Sequence, residues 1–222
     1  MELTEAASLL NEFFYGFDSL VLNFYHGAAS VMGSFLTPLM VFISYFGVKG
    51  IFSIVLSIIL ILFADTRKEG ITALLAIGIG AILCNVIIKP TVARPRPYTI
   101  SPYDQWWQDV GAHAEKDMSF PSGHVNVIAA SFGGIFLASE RKRFTWTLFI
   151  GVVLMGISRN YLMVHYPSDV LFGMITGFVS AALSFAATHY IYRAIVGRKD
   201  NKICRWIIEA DLLKAVKKGK NK

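Results

Sequence analysis

The chain has 222 residues, of which 55% are hydrophobic and 16% charged, with a formal net charge of +6 and a mean hydropathy of +0.53. So apolar a composition excludes an ordinary soluble domain and predicts one polytopic membrane domain over residues 1–222. Two cysteines, Cys84 and Cys204, exclude a disulfide framework.

The N-terminus, MELTEAASLLNEFF, carries Glu2, Glu5 and Glu12 where a cleaved signal would carry Lys or Arg. Residues 1–18 read as an amphipathic segment, and no cleaved signal is expected. Apolar runs then follow at Ser19–Val48, Gly50–Ala64, Ile71–Ile88, Val125–Ala138, Phe144–Ile157 and Val170–Val196. A spanning helix needs about 20 apolar residues, so the second and third runs fit with a little flank and the sixth suffices. The fourth and fifth reach that length only by extending into their flanks. The first contains Asn23, His26 and Pro38. It reads either as one broken span or as two half-inserted helices. The runs are too uniformly apolar for barrel strands. The expected fold is therefore an all-α transmembrane bundle of six apolar segments, five or six of them true spans. Ala73, Ala76, Gly80, Gly133, Gly134, Gly173 and Gly177 would let its helices pack closely.

The connections divide by charge. DTRKEG (65–70), SERKRF (139–144) and the tail from Gly197 are basic and should be cytoplasmic. The tail from Arg198 holds nine basic and three acidic residues. Its Ile203, Trp206, Ile207, Ala210 and Leu213 recur at helical spacing, which reads as a helix lying on an anionic inner leaflet. No nucleic-acid partner is expected. The other face, holding the segment near Lys49, the loop 89–123 and the segment 159–167, should be extracytoplasmic. In that loop Trp106 and Trp107 read as interfacial anchors.

Three patches lie on this outward face: KPTVARPRP (Lys89–Pro97), FPSGH (Phe120–His124) and SRNYLMVHYPSD (Ser158–Asp169). Each alone is ordinary: a stiff basic loop, a capped turn, a structural His–Asp pair. Together they describe one site. Lys89, Arg96 and Arg159 are cations that need an anion, and an Arg fork matches phosphate oxygens. Ser122 can cap the helix that follows, and Gly123 permits close backbone approach, so amide N–H groups would face the same anion. His165 and Asp169 stand four residues apart, so a carboxylate can fix the imidazole tautomer and free the other nitrogen to attack phosphorus. His124 can protonate the leaving oxygen. No metal or other cofactor is required by this set. Arg94, Lys49 and Lys116 are left over as unassigned cations of the same face.

The order K-x(6)-R-P, P-S-G-H, S-R-x(5)-H-x(3)-D resembles the three-part signature of the type 2 phosphatidic acid phosphatase superfamily, with no departure at any signature position. The resemblance implies a phosphohistidine mechanism. His165 would be the nucleophile, Asp169 its partner, and His124 the acid and then the base that activates water. Lys89, Arg96, Ser122, Gly123 and Arg159 would bind phosphate. It further implies a lipid phosphate substrate reached from the bilayer of the plasma or inner membrane, of the undecaprenyl diphosphate, phosphatidylglycerophosphate or phosphatidate type. A lipid phosphotransferase is the alternative, because only the acceptor differs. The superfamily's soluble haloperoxidases are excluded by the apolar runs.

Overall fold

A computed structural model describes residues 3–198, 200–202 and 210–212. All regular structure among them is helical. All six apolar runs fold as helices: α1 (Glu5–Tyr45), α2 (Ile51–Leu62) and α3 (Arg67–Ala81), then, after the short α4 (Lys89–Val92) and α5 (Tyr103–Val110), α6 (Gly123–Ala138), and, after the short α7 (Lys142–Thr145), α8 (Leu148–Tyr161) and α9 (Pro167–Val196). Three helical stretches are long and apolar enough to cross a bilayer: Glu5–Leu62, formed by α1 and α2 across a tight turn, Arg67–Thr99, and Pro167–Val196. α6 and α8 do not extend far into their flanks and remain at 16 and 14 residues.

Thr4 caps α1 by accepting from the Ala7 amide at 3.1 Å. The helix is continuous through the first apolar run but breaks helical geometry at Met32 (φ −125°, ψ 19°), six residues before Pro38. A π-helical stretch, Ile82–Ile88, follows α3 and leads directly into Lys89. Such stretches re-aim side chains and are frequent at functional sites.

α6 is the central helix, packed against α3, α8 and α9. Its Val125, Ile128, Ala129, Phe132 and Ile135 form the main apolar core with Ala73, Val152, Met155 and Val170. The small residues do the work expected of them. A Cβ on Gly177 would lie 2.6 Å from the Ala129 Cβ and 2.7 Å from the Asn126 carbonyl, so α6 and α9 touch there at backbone distance. Meanwhile α1 packs along α8, tied by Ser158 Oγ donating to the Met40 carbonyl at 2.6 Å and by a 2.8 Å Thr37–Tyr161 hydroxyl contact.

The helix directions sort the connections to two ends. Asp65, Lys68, Glu140, Arg141 and Lys142 surround a common cavity at one end. The signature residues lie at the other. The expected amphipathic tail helix falls almost wholly outside the described residues. Ala210 and Asp211 lie against the α2–α3 turn, where the Ala64 amide donates to Asp211 Oδ2 at 2.9 Å.

Candidate active site

At the second end a cavity of about 240 Å³ is lined by Lys89, Arg96, Gly123, His124 and His165, with Lys49, Asn85, Glu115, Asp117 and Asn126 beside them. Four chain segments build it. The π-helical continuation of α3 and the start of α4 supply Asn85 and Lys89. The extended chain after α4 supplies Arg96 (φ −79°, ψ 155°). The N-terminus of α6 brings Gly123 and His124, and the α8–α9 turn brings His165. A fifth, the α1–α2 turn, closes over His124: a Cβ on Gly47 would lie 2.6 Å from the His124 ring, so only glycine fits there.

The three patches are locked together by backbone. The Ser122 amide donates to the Asp169 carbonyl at 3.0 Å, the Ser119 amide to the Arg94 carbonyl at 2.8 Å, and the Val164 amide to the Arg159 carbonyl at 3.3 Å. Pro167 opens α9, where its missing N–H costs nothing. Asp169 then accepts from the Tyr166 amide at 2.9 Å, fixing its own carboxylate at the start of the helix.

His165 is 1% exposed. Arg96 Nη1 lies 3.2 Å from its Nε2. A guanidinium only donates, so Nε2 carries the lone pair and Nδ1 the proton. Nε2 is the nitrogen on the pocket side. Burial, then Arg96, Arg159, Lys89 and His124, hold the imidazole well below its ordinary pKa, and it is neutral at physiological pH. On the far side Nδ1 is 3.6 Å from Asp169 Oδ2, longer than a hydrogen bond. Ser119 stands between: its hydroxyl donates to Asp169 Oδ2 and lies 3.5 Å from Nδ1.

The cations are paired with carboxylates of the loop before α6. Asp117 bridges Lys89 and Arg96, and Arg96 Nε also donates to the Asp117 carbonyl at 2.9 Å. Glu115 pairs with Arg159, which donates to Ser44 Oγ of α1 at 2.5 Å. Burial alone would raise the Asp117 carboxyl, but Lys89 and Arg96 bring it below the usual carboxylate range. Arg159 lines an adjoining, mainly apolar cavity that also reaches His124.

Two expected residues behave differently from the sequence reading. Ser122 occupies the N-cap position of α6 but makes no side-chain cap. It is packed 3.3 Å from the Cβ position of Gly173, and its buried hydroxyl has no protein partner. Arg94, left unassigned on the outward face, is 1% exposed and binds Asp169 and Asp18. Ser119, Asn85, Glu115 and Asp117 were also missed. The sequence's one hint was the close spacing of Glu115 and Asp117 ahead of FPSGH. Trp106 stacks on His26 of α1 (centroids 4.2 Å) and Trp107 on Tyr98 (4.8 Å), so both rings pack on the protein.

Residues 69–193 match the model of the PAP2 superfamily. The chain belongs to the PAP2 superfamily. It is a phosphatase of that type, a hydrolase of phosphoric ester bonds. It is 33% identical over 143 residues to an undecaprenyl-diphosphatase of Sulfolobus acidocaldarius, covering 64% of this chain and 66% of that one. It is 28% identical over 180 residues to the undecaprenyl-diphosphatase BcrC of Bacillus subtilis (76% and 89%). With phosphatidylglycerophosphatase B of the same organism it shares 32% over 153 residues (65% and 63%). Its fold matches the crystal structure of a transmembrane PAP2-type phosphatidylglycerolphosphate phosphatase from Bacillus subtilis with a TM-score of 0.64, at 25% identity, over 84% of this chain and 91% of that one.

Proposed function

We propose that this protein hydrolyses the phosphomonoester or diphosphate of a membrane lipid through a phosphohistidine on His165. The observation that carries the reading is His165 in the wall of a cavity shared with Lys89, Arg96 and His124, its Nε2 held by Arg96 and freed when that guanidinium turns to the phosphate. Nε2 attacks phosphorus, an N–P bond forms, and the P–O bond to the leaving group breaks. Its electron pair leaves with the oxygen, which takes a proton from His124, an imidazolium once the substrate's negative charge enters beside it. His124 then accepts a proton from water as that water attacks the phosphohistidine, releasing phosphate and restoring Nε2. Lys89, Arg96 and Arg159 meet the negative charge of the transition state. Ser122 and the amides at Gly123 add hydrogen bonds at the helix N-terminus.

The substrate class follows from the setting. The chain crosses the plasma or inner membrane five or six times and turns this end outward, with the basic turns and the tail cytoplasmic. The substrate's tail stays in the bilayer while its phosphate enters the cavity. Undecaprenyl diphosphate and phosphatidylglycerophosphate are the leading candidates, in keeping with the names of the relatives, and phosphatidate is the third. Phosphate release is the test that separates hydrolysis from transfer to another lipid. Purified protein in detergent, with no added acceptor, should release phosphate from at least one of these lipids. Brief incubation with labelled substrate, quenched without acid, should leave label on His165. Label on another residue, or substantial turnover by His165→Ala, would overturn the assignment.

A further inference from the structure

Arg94 is a buried cation that this phosphate chemistry leaves unused, and its fork is fully engaged. Nε donates to Asn11 Oδ1 at 2.8 Å. Nη1 donates to Ser168 Oγ and Asp169 Oδ1, each at 2.7 Å. Nη2 donates to Asp18 Oδ2 at 2.8 Å. The guanidinium lies 3.9 Å over the Tyr166 ring. Asp18, on α1, also accepts from the Ser168 amide at 2.8 Å and hydroxyl at 2.7 Å. Asp18 and Asp169 are 3% and 0% exposed.

Burying one cation between two carboxylates is costly, and a bolt between helices would need only one of each. The second carboxylate changes the chemistry. With Asp169 alone, Arg94 would neutralise the charge that His165 needs beside it. With Asp18 sharing the guanidinium, the cluster keeps a net negative charge next to Nδ1. That is where positive charge develops when Nε2 bonds to phosphorus. Without Arg94, two buried carboxylates would compete and one would take a proton. A protonated Asp169 could donate to Nδ1, which would move the imidazole proton to Nε2 and silence the nucleophile.

We propose that Arg94 and Asp18 are positioning residues for phosphoryl transfer: Arg94 holds Asp169 ionised behind His165, and Asp18 limits how far Arg94 neutralises it. The inference rests on His165 being the nucleophile. It makes α1, which precedes the matched residues 69–193, part of the reaction machinery.

The His165–Asp169 pair faces Arg94, Asp18 and Tyr166 on one side. On the pocket side it faces Lys89, Arg96, Arg159 and His124. The pocket side is unchanged in the test variants, so any change in pH profile reports the first group. Arg94→Gln leaves Asp18 and Asp169 to share a proton that must be lost before Asp169 can act, which should move the acid limb of kcat to higher pH. Its kcat near neutrality should fall about 10–100-fold, the range seen when groups that orient a reactive ligand are removed. KM and vanadate inhibition should change little. Asp18→Asn removes negative charge and should move the same limb to lower pH. The double variant Asp18→Asn/Arg94→Gln should recover part of the kcat lost in Arg94→Gln, a non-additivity that a structural bolt would not produce. All are made in the full chain and assayed in detergent with the lipid that releases phosphate. If Arg94→Gln is not recovered from membranes, the direction of the Asp18→Asn shift alone decides. Unshifted limbs, equal loss at every pH, or a double variant no better than Arg94→Gln would overturn the proposal. Absence of label on His165 in the unmodified protein would instead overturn the nucleophile assignment.

Discussion

On the proposed reading of Lys89 and Arg96 as phosphate ligands, Asp117 holds the place of the substrate anion. Its carboxylate bridges Lys89 and Arg96, so a phosphate must displace it. The side chain is 53% exposed, and exposed ion pairs are worth about 0.2–1 kcal/mol each. Two such pairs, discounted for solvent, set the competition at about 1 kcal/mol. At 1.4 kcal/mol per tenfold, Asp117→Asn should tighten binding of vanadate or inorganic phosphate by about fivefold. Because its carboxyl is held below the usual range, the competition persists across the whole neutral pH range. Inhibition constants for vanadate against lipid hydrolysis, measured side by side for the two proteins, give the ratio directly. Weaker or unchanged inhibition in the variant would refute the reasoning, since it would make Asp117 a support of the anion site rather than its competitor.

In the proposed mechanism Lys89, Arg96 and Arg159 supply the positive charge that a metal would otherwise bring. Turnover should therefore survive EDTA and be blocked by vanadate, whereas loss on chelation with recovery on adding magnesium would contradict this mechanism. His165 is held well below its ordinary pKa, so the neutral nucleophile should persist into acid. The acid limb of kcat should then lie below about 6.5, the unperturbed value. The sign for stability follows: below that value the unfolded chain takes up a proton that the folded one refuses, so thermal stability should fall with falling pH. For orientation, both His113 and Arg141 are exposed. With Cys204 replaced by Ser, a cysteine at position 113 should react with an impermeant thiol reagent outside intact cells, and one at position 141 should not.

The apolar runs announced all six main helices because hydropathy is a local signal. The details were less legible: the first run left the place of its break open, and α1 departs from helical geometry at Met32, while α6 and α8 stay short. The signature named the residues around the cavity, but not what holds them. Arg94 and Arg96 show why. Both precede a proline, which biases each toward extended backbone, and in extended chain residues two apart would share one side. The fold departs from that: Arg96 reaches His165 Nε2 from the pocket while Arg94 binds Asp169 behind it. Sequence marks both as cations of one loop. Only the fold shows that Asp18, 76 positions from Arg94, waits on the second side. Ser119, between His165 and Asp169, is invisible for the same reason: its role depends on a long-range contact.

The arrangement of charge also explains how so many ionised groups coexist at a membrane end. Lys89 and Arg96 line the pocket and Arg159 the cavity beside it, and two carboxylates, Asp117 and Glu115, pair with them. A phosphate monoester carries about −1.5 to −2 charges at neutral pH. If it enters as the two carboxylates swing out to water, the charge around the cations is nearly conserved. Asp117 is half-exposed and Glu115 partly so, which gives both a path to solvent. Asp18 and Asp169 have no such path and stay with Arg94. The pocket thus separates carboxylates that substrate can replace from carboxylates that must stay. Substrate exchange can proceed without leaving buried cations bare or disturbing the charge behind the nucleophile.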